Sequence, residues 1–167
     1  GATIPYPPRT QNLHHEIELV VAIGRGGSNI AADDAAGHIF GYAAGIDLTR
    51  RDLQAAAKDK GAPWDTAKSF ENAAPISAIQ PVAQVGHPQN ARIWLAVNDE
   101  VRQDGDIADM IWSVPEAIAD LSTFYTLSPG DLLFTGTPEG VGPLQPGDRA
   151  TGGVAGVAEI SLQISNL

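Results

Sequence analysis

The sequence predicts an α+β domain, mainly β and largely antiparallel, with a few short helices. Three observations carry this expectation. Short apolar or alternating segments bounded by Gly, Pro, Asn and Asp recur along the chain. Two Pro-Gly-Asp turns, Pro129 to Asp131 and Pro146 to Asp148, each lie beside such a segment. Only two or three stretches carry helix start and stop signals.

Taken in order, Gly1 to Pro8 reads as an extended, proline-rich linker entering a strand, with a further segment expected upstream. Glu16 to Ile23 is the first clear strand, closed by the turn Gly24-Arg25-Gly26-Gly27. Those glycines carry no phosphate-binding signal, because they neither open a helix as G-x-G-x-x-G nor lead to Gly-Lys-Ser or Gly-Lys-Thr. Asn29 to Gly37 is a short helix candidate with Asp33 and Asp34 solvated. Ile39 to Leu48 is small, apolar and glycine-rich, as expected of a buried strand packed closely against other backbone.

Thr49-Arg50-Arg51-Asp52 has the form of a capping box. The helix it opens runs to Lys58-Asp59-Lys60, where two cations suit the negative end of the dipole and Gly61 stops it. Arg51 and Gln54, three apart, share one face of that helix. Pro63 to Phe70 reads as a loop with Lys68 central among aromatic residues, either solvated or facing a site. Arg92 to Val97 and Val101 to Gln103 form a hairpin around Asn98-Asp99-Glu100. Ser113-Val114-Pro115-Glu116 opens a second helix, whose Ile118, Leu121 and Tyr125 fit one buried stripe. Leu132 to Phe134 is a strand, and Thr135 to Pro143 a rigid glycine and proline loop that either exposes N–H groups to a ligand or is a plain sheet crossover. Val157 to Ile164 alternates cleanly and closes a sheet.

The 167 residues make one domain, and 43% hydrophobic content is enough for a sizeable core. Twenty acids against ten Lys and Arg give a net charge of −10, so nucleic acid is not the expected partner. The chain has no cysteine, which excludes disulfides, thiolate zinc and cysteine nucleophiles. No apolar run approaches the length of a membrane span, no signal peptide is legible, and a cytoplasmic location is expected.

The densest chemistry lies in His14-His15-Glu16-Ile17-Glu18-Leu19 and, about thirty residues on, Asp47. In a strand Glu16 and Glu18 share one face while Ile17, Leu19 and Val21 share the other. Two like charges on an otherwise apolar strand call for a cation or open water between them. With Asp47 they form an oxygen set suited to Mg2+, Mn2+ or Ca2+; the alternative is a wetted sheet face.

Together these segments resemble the fumarylacetoacetate hydrolase family over essentially the whole chain. The resemblance is carried by residues 12–19 (Asn12 to Leu19), 45–54 (Gly45 to Gln54), 67–70 (Ala67-Lys68-Ser69-Phe70), 111–115 (Ile111 to Pro115) and 134–143 (Phe134 to Pro143). It implies a mixed β-roll, a homodimer, and magnesium or manganese bound at Glu16, Glu18 and Asp47. It also implies that Arg51, Gln54, Lys68, Gly136 and Thr137 line the site around the pyruvoyl end of a small keto-acid substrate, with His14 a structural neighbour. The water-activating His and Glu pair of similar family members is expected upstream of residue 1. The activity implied is hydrolysis of a C–C bond in a β-diketo acid, an acylpyruvate such as fumarylpyruvate, to a carboxylic acid and pyruvate. Two other readings stay open: oxaloacetate decarboxylation or isomerisation of a dienoic keto acid through the same enolate, and a non-catalytic metal-binding domain.

Overall fold

The computed structural model describes residues 1–166. Its strands are β1 (Ala2–Pro5), β2 (Leu13–His15), β3 (Ile17–Ile23), β4 (Ile39–Ile46), β5 (Thr49–Arg50), β6 (Gln80–Pro81), β7 (Arg92–Val97), β8 (Glu100–Asp106), β9 (Leu132–Phe134), β10 (Gly142–Leu144), β11 (Arg149–Val154) and β12 (Ala158–Ser165). Four α-helices, α1 (Arg51–Asp59), α2 (Asp65–Lys68), α3 (Val82–Val85) and α4 (Val114–Phe124), lie among them, with 3-10 turns at Ala32–His38 and Ile107–Asp109. This is the strand-dominated α+β class expected.

Three sheets form, ordered β1-β12-β11-β7-β8, β6-β4-β3-β9 and β10-β2-β5. Every ladder is antiparallel except β1 on β12. All seven residues of β3 are buried, so both of its faces are covered. Its odd-numbered face looks to the five-stranded sheet, where the Ile17 side chain packs over the backbone of Gly152 in β11. Leu19, Val21, Leu95, Val97, Leu162 and Ile164 fill the same core, each burial contributing about 1.5–3 kcal/mol. Its even-numbered face carries Glu18, Glu16 lies one residue before the strand, and the site is built around these two.

Close backbone approach is visible along β4. A Cβ on Gly41 would run into the carbonyl of Gln80, and one on Gly45 would lie 2.6 Å from Val20 and 2.7 Å from the Phe134 ring. The β7–β8 hairpin turns through Asn98 and Asp99, both at positive φ, which is the twist a two-residue hairpin needs.

Several local expectations are corrected. Gly1 to Pro8 is no linker, because Ala2–Pro5 adds a parallel strand to β12. Thr49 does not cap α1: it pairs with His14 in the β2–β5 ladder, the cap position falls to Arg50, and Asp52 turns away to accept from Thr10 and the Gln11 N–H. Pro63 to Phe70 contains the single helical turn α2, which ends on Lys68. In α4 the Ser113–Glu116 capping box forms, yet the buried stripe is Val114, Ile118 and Ser122. Tyr125 is 67% exposed because it lies one residue past the helix, on extended backbone.

Candidate functional site

The antiparallel register pairs Ile17 with Ile46 and Glu18 with Gly45, so Glu16 and Asp47 face each other just beyond the ladder. The Asp47 N–H donates to the Glu16 carbonyl at 2.8 Å and ties the two together. Gly45 opposite Glu18 lets Val20 and the Phe134 ring pack directly on the β4 backbone. One oxygen each from Glu16, Glu18 and Asp47 lies within 4.8 Å of the others, with Glu16 and Glu18 buried and Asp47 half-buried.

Two cations reach this cluster. Lys68 Nζ donates to Glu16 Oε2 at 2.8 Å and to Asp47 Oδ2 at 2.7 Å. Arg51, on the first turn of α1, donates to Glu16 Oε1 through Nη2 and to the amide oxygen of Gln54 at 2.7 Å through Nη1. Among the described residues no cation hydrogen-bonds Glu18; its partner is the Gly136 N–H at 2.6 Å.

The charges respond accordingly. Burial opposes ionisation of Glu16, but the Lys68 and Arg51 hydrogen bonds outweigh it and hold its carboxyl below the ordinary glutamate range. Burial pushes Glu18 up to about 7, with Asp47 and Glu16 adding repulsion against the help of Gly136. Asp47 is raised by burial, and Lys68 only partly offsets it. For Lys68 burial opposes the charge, while Asp47 and Glu16 more than restore it. Three carboxyls against two cations, with Glu18 the one that neither cation bonds, make an all-oxygen donor set. That donor chemistry fits a hard divalent cation such as Mg2+ or Mn2+.

The loop after β9 forms the far wall. Thr135, Gly136 and Thr137 border a cavity of about 550 Å³ whose lining also holds the apolar Ile93, Ile107, Met110 and Trp112 and the acidic Asp106 and Asp109. The N–H of Gly136, expected to meet substrate, is committed to Glu18 instead. His14 sits beside the cluster with Nε2 on Asn12 at 3.0 Å and Nδ1 unpartnered.

One participant was not singled out from the sequence. Gln103, fully buried on β8, links His15 to Thr137. In the sequence it is only the end of a hairpin strand, and the one available signal was a polar residue at a position whose strand neighbour Leu95 is core.

Known proteins resemble this chain over nearly its whole length. The family model described as fumarylacetoacetate (FAA) hydrolase C-terminal matches residues 1–165. A fumarylpyruvate hydrolase of Ralstonia is 54% identical over 164 residues, which is 98% of this chain and 85% of that protein. The mitochondrial oxaloacetate tautomerase FAHD1 of Arabidopsis thaliana is 43% identical over 164 residues, 98% of this chain and 74% of its own length. The crystal structure of fumarylpyruvate hydrolase from Pseudomonas aeruginosa in complex with Mn2+ and pyruvate superposes with a TM-score of 0.97 at 48% identity, covering 99% of this chain and 71% of that one.

Proposed function

Because the chain belongs to the fumarylacetoacetate hydrolase family and is a hydrolase, we propose that it acts on an acylpyruvate, fumarylpyruvate in the first instance, releasing pyruvate and a carboxylic acid. The convergence of Glu16, Glu18 and Asp47 beside Lys68 and Arg51 is the observation that carries this reading. These three carboxylates would hold Mg2+ or Mn2+, which supplies Lewis-acid stabilisation of the enolate that a departing pyruvate must become.

The chain's own side chains bind and orient. Arg51 offers a planar fork matched to a substrate carboxylate, and Gln54, whose oxygen is held by Arg51, presents its NH2 to a carbonyl oxygen. Lys68 places a positive charge where enolate charge develops. Thr137 holds the carboxylate or oxyanion from the opposite wall, and Gly136 acts by holding Glu18. The cavity bordered by Thr135 to Thr137, with Ile93, Ile107 and Met110 among its lining, receives the acyl arm.

We take the enzyme to be a cytoplasmic homodimer. Among the described residues Phe40, Phe124, Tyr125 and Leu132 are exposed apolar side chains that a second copy would cover. Sedimentation at micromolar concentration tests this, and a monomer would refute it.

Thermal melting in chelator, in excess Mn2+, and in Mn2+ with oxalate, a mimic of the pyruvate enolate, tests the site. Stepwise stabilisation is expected. No response to either addition would refute the reading. A second activity, tautomerisation of oxaloacetate, is favoured by the 43% identity to the Arabidopsis enzyme of that name. Both reactions pass through an enolate at the same place. Assaying pyruvate release from fumarylpyruvate beside keto–enol conversion of oxaloacetate separates them.

A further inference from the structure

Two threonines, Thr135 and Thr137, border the same cavity, yet their hydroxyls have opposite hydrogen-bond polarity. Thr135 donates its proton to the Leu19 carbonyl at 2.9 Å, so toward the cavity it can only accept. Thr137 instead accepts, from Gln103 Nε2 at 2.8 Å, and keeps its own proton to give.

The direction of the Gln103–Thr137 bond follows from the other partners of Gln103. Its oxygen accepts from the Ile17 backbone N–H at 3.2 Å, a group that can only donate. Its nitrogen donates to the Pro138 carbonyl at 2.9 Å, a group that can only accept. Flipping the amide would set two donors against each other at Ile17 and two acceptors at Pro138. The second amide hydrogen therefore goes to Thr137. The second lone pair of the oxygen takes His15 Nδ1 at 2.8 Å, which requires the Nδ1–H tautomer of His15. All four hydrogen-bonding capacities of Gln103 are used, at a residue with 0% exposure.

We propose that Gln103 is a positioning residue: it sets the Thr137 hydroxyl as a donor toward an anionic oxygen in the cavity, and so decides which of the two threonines greets a carboxylate or enolate. An anion facing Thr135 would meet a lone pair, and one facing Thr137 meets a proton. The choice of ligand rests on the keto-acid reading above; the polarity of the hydroxyls rests on the hydrogen bonds alone.

The first test needs no ligand. In the metal-free chain, 15N spectra of the His15 ring are expected to show the Nδ1–H tautomer, and an Nε2–H tautomer would overturn the proposal. The second is titration of oxalate into the Mn2+-loaded chain for Gln103→Met, Thr137→Val, their combination and Thr137→Ser. Thr137→Val should weaken oxalate by about tenfold or more, the loss of a hydrogen bond to a charged group. Gln103→Met should weaken it by about fivefold in the native background and by less than about twofold on Thr137→Val, since the two act through one hydroxyl. Thr137→Ser should restore binding, and Mn2+ affinity should stay constant throughout. Equal losses from Gln103→Met in both backgrounds would overturn the proposal. Should Gln103→Met lose Mn2+ binding through misfolding, the His15 tautomer decides. Absence of oxalate binding to the unaltered Mn2+-loaded chain would instead defeat the keto-acid reading, with the hydroxyl polarity again judged by that tautomer.

Discussion

Replacing Glu18 by Gln should stabilise the protein when metal is withheld, by an amount set by the burial of this carboxyl. Its folded pKa is raised from 4.5 to about 7, mainly by burial. Below pH 4.5 the group is protonated whether the chain is folded or not, and it contributes nothing. Between 4.5 and 7 the unfolded chain releases the proton while the folded one retains it, so stability falls as pH rises. Above 7 the full cost is present, about 3 kcal/mol. Gln cannot ionise, and its amide oxygen can still accept from the Gly136 N–H. In chelator at pH 8, Glu18→Gln should therefore melt higher by on the order of 9 °C for a chain of this size, with the gap closing toward pH 4. The order should invert in Mn2+. At a thousand times the dissociation constant the unaltered chain gains about 4.1 kcal/mol, more than the roughly 3 kcal/mol advantage of the variant, which lacks one ligand and forgoes that gain. Chemical denaturation at pH 4, 6 and 8, in chelator and in Mn2+, measures all of this. A metal-free Glu18→Gln variant less stable than the parent at pH 8, or a gap independent of pH, would refute the reasoning.

Three further outcomes are expected. Lys68→Met should keep Mn2+ binding but lower pyruvate release by about a hundredfold or more, as loss of a charge aimed at a developing oxyanion does; steady-state kinetics beside metal titration checks it. Ser113→Ala removes the side-chain half of the α4 capping box while the residue-113 N–H still donates to Glu116, and should cost about 1 kcal/mol in denaturation without altering oxalate binding. Gly41→Ala should destabilise more than Gly45→Ala, because the first meets the backbone of Gln80 whereas the second meets side chains that can shift, at about 1–3 kcal/mol; paired melting curves decide the order.

What could be read from the residues was whatever repeats locally. Alternation placed Glu16 and Glu18 on one face, and spacing placed Arg51 with Gln54, because strand and helix periods are set within a few residues. The glycines of β4 announced close packing for a similar reason. What failed depended on distant partners. Thr49 looks like a cap until β2 claims it for a ladder, and residues 1–8 look like a linker until β12, more than 150 residues away, pairs with Ala2–Pro5. Lys68 had no local mark separating a solvated lysine from one held between Glu16 and Asp47, because both acids come from segments distant in the chain, at the ends of β3 and β4. Gln103 was illegible for the same cause, its four partners arriving from β2, β3 and the loop after β9.

That pairing of Ala2–Pro5 with β12 also bears on the order in which the molecule assembles. In the five-stranded sheet β1 has one neighbour, and that neighbour is the last strand described. Chain emerging during synthesis must therefore hold Ala2–Pro5 unpaired until residues near 165 appear, while β7, β8 and β11 can already close on one another. Joining segments so far apart in sequence is the slowest kind of contact to form, because loop entropy is lost before any ladder bond repays it. The β1–β12 seam should accordingly be the final step of folding, with φ-values near zero for substitutions at Ile4, and the interval before it closes is when the nascent chain most needs protection from aggregation.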